Sequence, residues 1–146
     1  MGDAAKSYDQ DFYAWALENA RLIREGRFAE MDAARVAEEI EAMGRHIKRA
    51  LEHRLAVLLA HLLEWAYQPD FRSKSWSYTI IEQRFAIADL LAENPSLKTL
   101  LPAAMPRAYR RALRLAAAET EQKITAFPSH CPWPFGQCMD DDFWPD

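Results

Sequence analysis

Apolar residues recur every three or four positions along most of this chain, which is the spacing of an amphipathic helix. Phe12, Ala16, Ala20 and Ile23 open the series. Ser7 and Gln10 form a Ser-x-x-Gln capping box before them, and Gly26 can close the last turn in the left-handed conformation, so a first helix is predicted over 8–25. Asp32 is the next N-cap, followed by Val36, Ile40, Met43, Ile47, Leu51, Leu55, Leu58, Leu62 and Trp65 in one unbroken phase. The phase carries through Gly44, and a helix-interior glycine costs only about 1 kcal/mol, so one helix over 32–67, roughly 50 Å long, is favoured over two.

Pro69 disfavours the helical conformation at Gln68, and Ser73 or Ser75 can cap a new helix, which predicts a loop and then a helix over 75–93. Asn94 and Pro95 start a short helix over 95–101 that Pro102 ends; the alanine-rich run makes a last long helix over 104–122, with Pro106 tolerable only in its first turn. The segment 123–146 holds four of the eight prolines and several large aromatics, so it is expected to dock Phe127, Trp133, Phe143 and Trp144 on the bundle as an irregular tail.

Composition agrees with the periodicity. Half of the 146 residues are apolar, glycines number four, and strong helix formers dominate, which gives one all-α domain over 1–146: a small helical bundle closed by an aromatic, proline-rich tail. The formal charge of −4 disfavours nucleic acid and anionic membrane as partners. No apolar run approaches the roughly 20 residues of a membrane span, no signal segment opens the chain, and Lys6 breaks the myristoylation pattern. Two cysteines without a disulfide pattern place the chain in a reducing, cytoplasmic setting.

Several ordered blocks carry a resemblance. They are "DFYAW" at 11–15, "AEEIEAMG" at 37–44, "LLAHLLEW" at 58–65, "RSKSWSYTIIEQR" at 72–84, "AET" at 118–120, "FPSHCPW" at 127–133 and the closing "DFWP". In these the chain resembles the bacterial domain-of-unknown-function family 29 over nearly its whole length. The resemblance implies a helical protein and carries no catalytic assignment. Similar sequences often have lysine where this chain has Glu64, so a role for that carboxylate would be particular to this chain.

Four constellations bear on chemistry. His61 and Glu64 stand one turn apart, as metal ligands do in carboxylate bundles, with Glu38, Glu39, Glu41, His46 and His53 as further donors. Projection at 100° per residue puts Glu64 about 160° from Leu62, on the solvent side, and no facing helix supplies a second histidine. A boundary histidine and a solvated glutamate are therefore expected, and no metal or cofactor. Arg84 falls amid Trp76, Ile80, Ile81, Ile87, Ala88 and Leu91; a buried cation needs a partner, most simply Glu39, and Arg84, Arg72, Trp76 and His61 could together line an anion pocket. Arg107, Arg110, Arg111 and Arg114 share one side of the last helix, with Asp140, Asp141 and Asp142 as an internal counterpart. His130, Cys131 and Cys138 lack zinc spacing and a fourth ligand, so packing is expected of them.

The chain therefore reads as a non-enzymatic protein-interaction or regulatory module that presents a helical face to a protein partner. The long stripe also leaves room for a homo-oligomer. The alternative is a metal- or anion-dependent enzyme built on Glu39, His61, Arg72 and Arg84.

Overall fold

The computed structural model describes residues 8–146, and among these every regular element is helical. A helical turn at 8–10 precedes α1 (Phe12–Arg24), α2 (Ala33–Tyr67), α3 (Lys74–Glu93), α4 (Leu101–Thr120) and the short α5 (Phe135–Met139), with 3₁₀ turns at Pro69–Phe71, Pro95–Leu100 and Ile124–Ala126. The expected all-α class is the one observed. The chain groups into two compact units that divide between His46 and Ile47, inside the continuous α2.

In the N-terminal unit, α1 starts where Asp11 accepts the Ala14 amide proton at 3.0 Å. The capping box expected at Ser7 lies outside the described residues. Gly26 closes the helix at φ 73°, in the left-handed region that costs glycine nothing. The buried face is Trp15, Asn19 and Leu22, one position away from the expected stripe, so that Phe12 and Ile23 stay exposed. Polar pairing sets this face. Buried Asn19 donates to the Trp15 carbonyl at 3.0 Å and accepts the Asp32 amide proton at 2.7 Å, fixing the turn between α1 and α2. Trp15 Nε1 donates to the Asp32 carboxylate at 3.4 Å. A buried amide without those bonds would cost about 1–3 kcal/mol.

The C-terminal unit is built around the second half of α2. Leu51, Leu55, Ala56, Leu58, Leu59, Ala60, Leu62, Leu63 and Glu64 are all buried, more positions than one helical face contains. Most of the circumference of this half is thus covered, although His53 and Tyr67 stay exposed and Val57 and His61 half-buried. Against it pack Ile80, Ile87 and Leu91 of α3, Leu97 of the 3₁₀ turn, and Tyr109, Leu113 and the row Ala104, Ala108, Ala112 and Ala116 of α4. Small side chains four residues apart let a neighbouring backbone approach closely. Ile81 and Ala88, expected in the α3 arc, are exposed instead.

Ser73 caps α3 by accepting the Trp76 amide proton, as its sequence position predicts. Pro102 begins α4 rather than ending the turn before it, and Pro106 lies inside the helix at an exposed position, where only the bond to the Pro102 carbonyl is lost. The segment after α4 is more regular than expected, with a 3₁₀ turn and α5. It packs onto the core through Phe127, Cys138, Trp133, Phe135, Met139 and Trp144. Tyr109 reinforces the seat by donating its hydroxyl to the Pro128 carbonyl at 2.6 Å.

Candidate functional site

A carboxyl group sits in the middle of this core. Glu64 is 0% exposed, contrary to the solvated position expected from projection. Projection assumes one covered face, whereas in the C-terminal half of α2 the cover extends well beyond the apolar stripe to reach Glu64. His61, one turn earlier, places Nε2 4.0 Å from Glu64 Oε2. Its Nδ1 stands 2.9 Å from the Val57 carbonyl, which can only accept, so Nδ1 carries a proton, and in the neutral form of the ring the lone pair is on Nε2.

The third member comes from the end of α4. Glu119 brings its carboxylate to the pair, so that one ligand atom from each of His61, Glu64 and Glu119 lies within 4.8 Å of the others. Neither Glu64 oxygen meets a hydrogen-bond donor of the protein. Burial above all, and then the nearby Glu119 carboxylate, push the Glu64 carboxyl up to about 9. Glu119 itself is exposed and lines a cavity of about 250 Å³ with Gln68, Phe71, Trp76, Thr120 and Glu121. Glu121 ends α4 in the left-handed region at φ 56°, unusual for a side chain of its size. Two carboxylates and an imidazole nitrogen at these distances can share a proton or hold a cation.

The other residues singled out by the sequence are engaged separately. Among the described residues of the C-terminal unit, no hydrogen bond or ion pair links any two of His61, Arg72, Trp76 and Arg84. Glu39 accepts the Tyr8 hydroxyl proton at 2.7 Å, within the N-terminal unit. Arg84 is buried as expected, but its partners are main-chain oxygens rather than an acid: Nε donates to the Cys138 carbonyl at 2.8 Å and a terminal nitrogen to the Phe143 carbonyl at 2.7 Å. Burial pulls its pKa down, and the charges of Asp141 and Asp140 oppose that pull. Arg72 does similar work at the end of α2, donating to the Trp65 carbonyl at 2.8 Å and to the Pro145 carbonyl at 3.2 Å.

The two arginines are joined through aromatic rings. Arg72 lies over Trp65 at 5.1 Å, Trp65 meets Trp144 at 4.9 Å, and Arg84 lies over Trp144 at 5.3 Å. This alternation of cation and ring clamps the C-terminal segment. Asp140 and Asp141 of the acidic triplet act on Arg84, while Arg107 of the α4 stripe pairs with Glu52 at 3.1 Å.

A larger cavity, about 760 Å³, opens between α4 and the C-terminal segment; Met105, Tyr109, His130, Cys131 and Trp133 are among its lining residues. Cys131 and Cys138 are free thiols that both point at the Trp133 carbonyl, at 3.2 and 3.8 Å. The neighbouring Cys138 thiol holds Cys131 down to about 7 and is itself pushed upward. Sequence spacing gives no sign of this pairing, which depends on the fold.

The architecture defines an all-helical protein with an arginine–tryptophan clamp on its C-terminal segment and a carboxylate–histidine cluster in its core. The chain belongs to the family described as Domain of unknown function DUF29, whose profile matches residues 7–144. No curated protein and no solved structure matches the chain. Among the described residues no helix is long and apolar enough to cross a membrane.

Proposed function

We propose that this chain is a cytoplasmic interaction module whose N-terminal unit docks on an apolar helix with a basic rim, presented by another protein. The observation that carries the reading is the exposed apolar surface of that unit: Ile40 is 62% and Met43 66% exposed one turn apart on α2, and Phe12, Tyr13 and Leu17 are exposed on α1. Only Trp15, Asn19 and Leu22 are buried in α1, a small core for a unit of this size, and a partner that covers Ile40 and Met43 would stabilise it. Charge favours a basic partner over a second copy. Residues 8–46 hold nine acids against five bases, a formal charge of −4, which is the net charge of the whole chain.

The enzyme reading built on Glu39, His61, Arg72 and Arg84 has less support, because both guanidinium groups direct their hydrogen bonds at main-chain carbonyls. The interaction reading is tested with a photo-crosslinking amino acid placed at position 43, and at exposed position 82 as control, in cells that express the chain naturally. Its expected product is an adduct specific to position 43 whose crosslinked peptide alternates apolar residues with lysine or arginine at helical spacing. No adduct, or an adduct with another copy of this chain, would overturn it.

A further inference from the structure

We propose that His61, Glu64 and Glu119 bind a divalent first-row transition-metal ion, zinc by preference, with one coordination position left for water on the side of the 250 Å³ cavity. This inference concerns the C-terminal unit and stands independently of the docking surface. It begins from a carboxyl group with no solvent exposure and no donor on either oxygen, at a place where the chain could have put a leucine. A buried polar group in that condition either carries a proton or meets a ligand that the chain itself does not supply.

The neighbours decide what kind of ligand fits. An anion is opposed by the two carboxylates, and although an ammonium group could donate to all three, one imidazole nitrogen beside two carboxylate oxygens is the mixed donor set that a transition-metal ion takes. A cation answers all three groups. The imidazole is already prepared for it: the Val57 carbonyl holds the proton on Nδ1, which is the outer hydrogen bond that fixes ligating histidines elsewhere and leaves Nε2 facing Glu64. One nitrogen and two carboxylate oxygens suit zinc, iron or manganese better than magnesium or calcium, which take oxygen ligands throughout.

The distances need a small closure. Ligands held about 2.0–2.2 Å from zinc in a tetrahedron stand roughly 3.4 Å apart, so the 4.0 Å between His61 Nε2 and Glu64 Oε2 must shorten by about half an ångström. That closure falls to the His61 and Glu64 side chains themselves, and the wider approach, from as much as 4.8 Å within the cluster, falls to Glu119, which is exposed at the end of α4. Three protein ligands leave a fourth position, as in zinc sites that bind water or substrate. Because Glu119 also lines the cavity with Trp76 and Gln68, a small molecule there would adjoin the ion.

The test uses the full chain, stripped with chelator and dialysed against zinc, with metal counted by mass spectrometry of the native protein and affinity read by competition with a chromophoric chelator. One zinc per chain is expected, with an affinity at least tenfold weaker in each of Glu64→Gln, Glu119→Gln and His61→Gln. Cys131→Ser, which removes the competing thiol, is expected to bind as the parent does. Glu119→Gln lies at an exposed position and guards against misfolding of the buried variants; zinc should raise the melting temperature of the parent and not of this variant. Zinc retained undiminished by Glu64→Gln and Glu119→Gln, lost with Cys131→Ser, or not bound at micromolar concentration would overturn the proposal.

Discussion

The two halves of α2 share one continuous helix and one apolar phase, yet they differ in almost every physical respect. From Leu51 onward the stripe is buried together with positions beside and behind it, whereas Ile40 and Met43 in the first half stand in solvent. Periodicity reports that a helix has an apolar side; it does not report whether anything covers that side. The first half therefore carries an uncovered apolar surface, and the second half lies at the centre of its unit, where even Glu64 is buried.

The sharpest way to break this contrast is to truncate one apolar side chain in each half. Leu59→Ala, in the buried half, is expected to cost about 2–5 kcal/mol in chemical denaturation, while Met43→Ala stays within about 0.5 kcal/mol. Equal losses would mean that the first half is covered too. Arg84→Met comes next. It removes the donors to the Cys138 and Phe143 carbonyls and is expected to cost about 2–4 kcal/mol and to expose Trp144, read as a red shift in tryptophan fluorescence.

A smaller effect separates Glu64 from its setting. Its carboxyl is raised from 4.5 to about 9, so the folded state binds the extra proton, and in metal-free protein this contribution is complete below about 4.5 and fades as pH rises toward 9. Glu64→Gln should flatten that slope and gain on the order of 1–3 kcal/mol at pH 8, measured by urea midpoints across pH 5–9. A slope that persists unchanged in Glu64→Gln would show another group to be responsible. Last comes Gly44→Ala in the exposed half, where an added Cβ meets nothing within 4 Å; helix propensity alone should raise stability by roughly 0.5–1 kcal/mol.

Helix ends were legible in the sequence because they are set by local chemistry: Ser73 caps α3, Gly26 closes α1, and Asn94 with Pro95 opens a 3₁₀ turn. Faces were less legible. Asn19 turned α1 by one position through bonds to Asp32 that lie 13 residues away, and Glu64 was drawn into the core because the helix around it is enclosed. The cation at Arg84 could be read from its apolar neighbours, whereas its partners could not, since main-chain carbonyls leave no mark in residue identity. Glu119 lay within a recognisable block, but only the fold brings it to His61 and Glu64.

The clamp formed by Arg72, Arg84 and the two tryptophans also bears on how the protein is born. Synthesis proceeds from the N-terminus, so α2, α3 and α4 emerge before the carbonyls of Cys138, Phe143 and Pro145 that their arginines require. Until those carbonyls arrive, a nascent chain holds Arg84 without these acceptors and Trp65 without its partner ring. The core of the C-terminal unit is therefore complete only when that segment is present, and a chain cut before Phe143 would leave Arg84 short of one of its two acceptors.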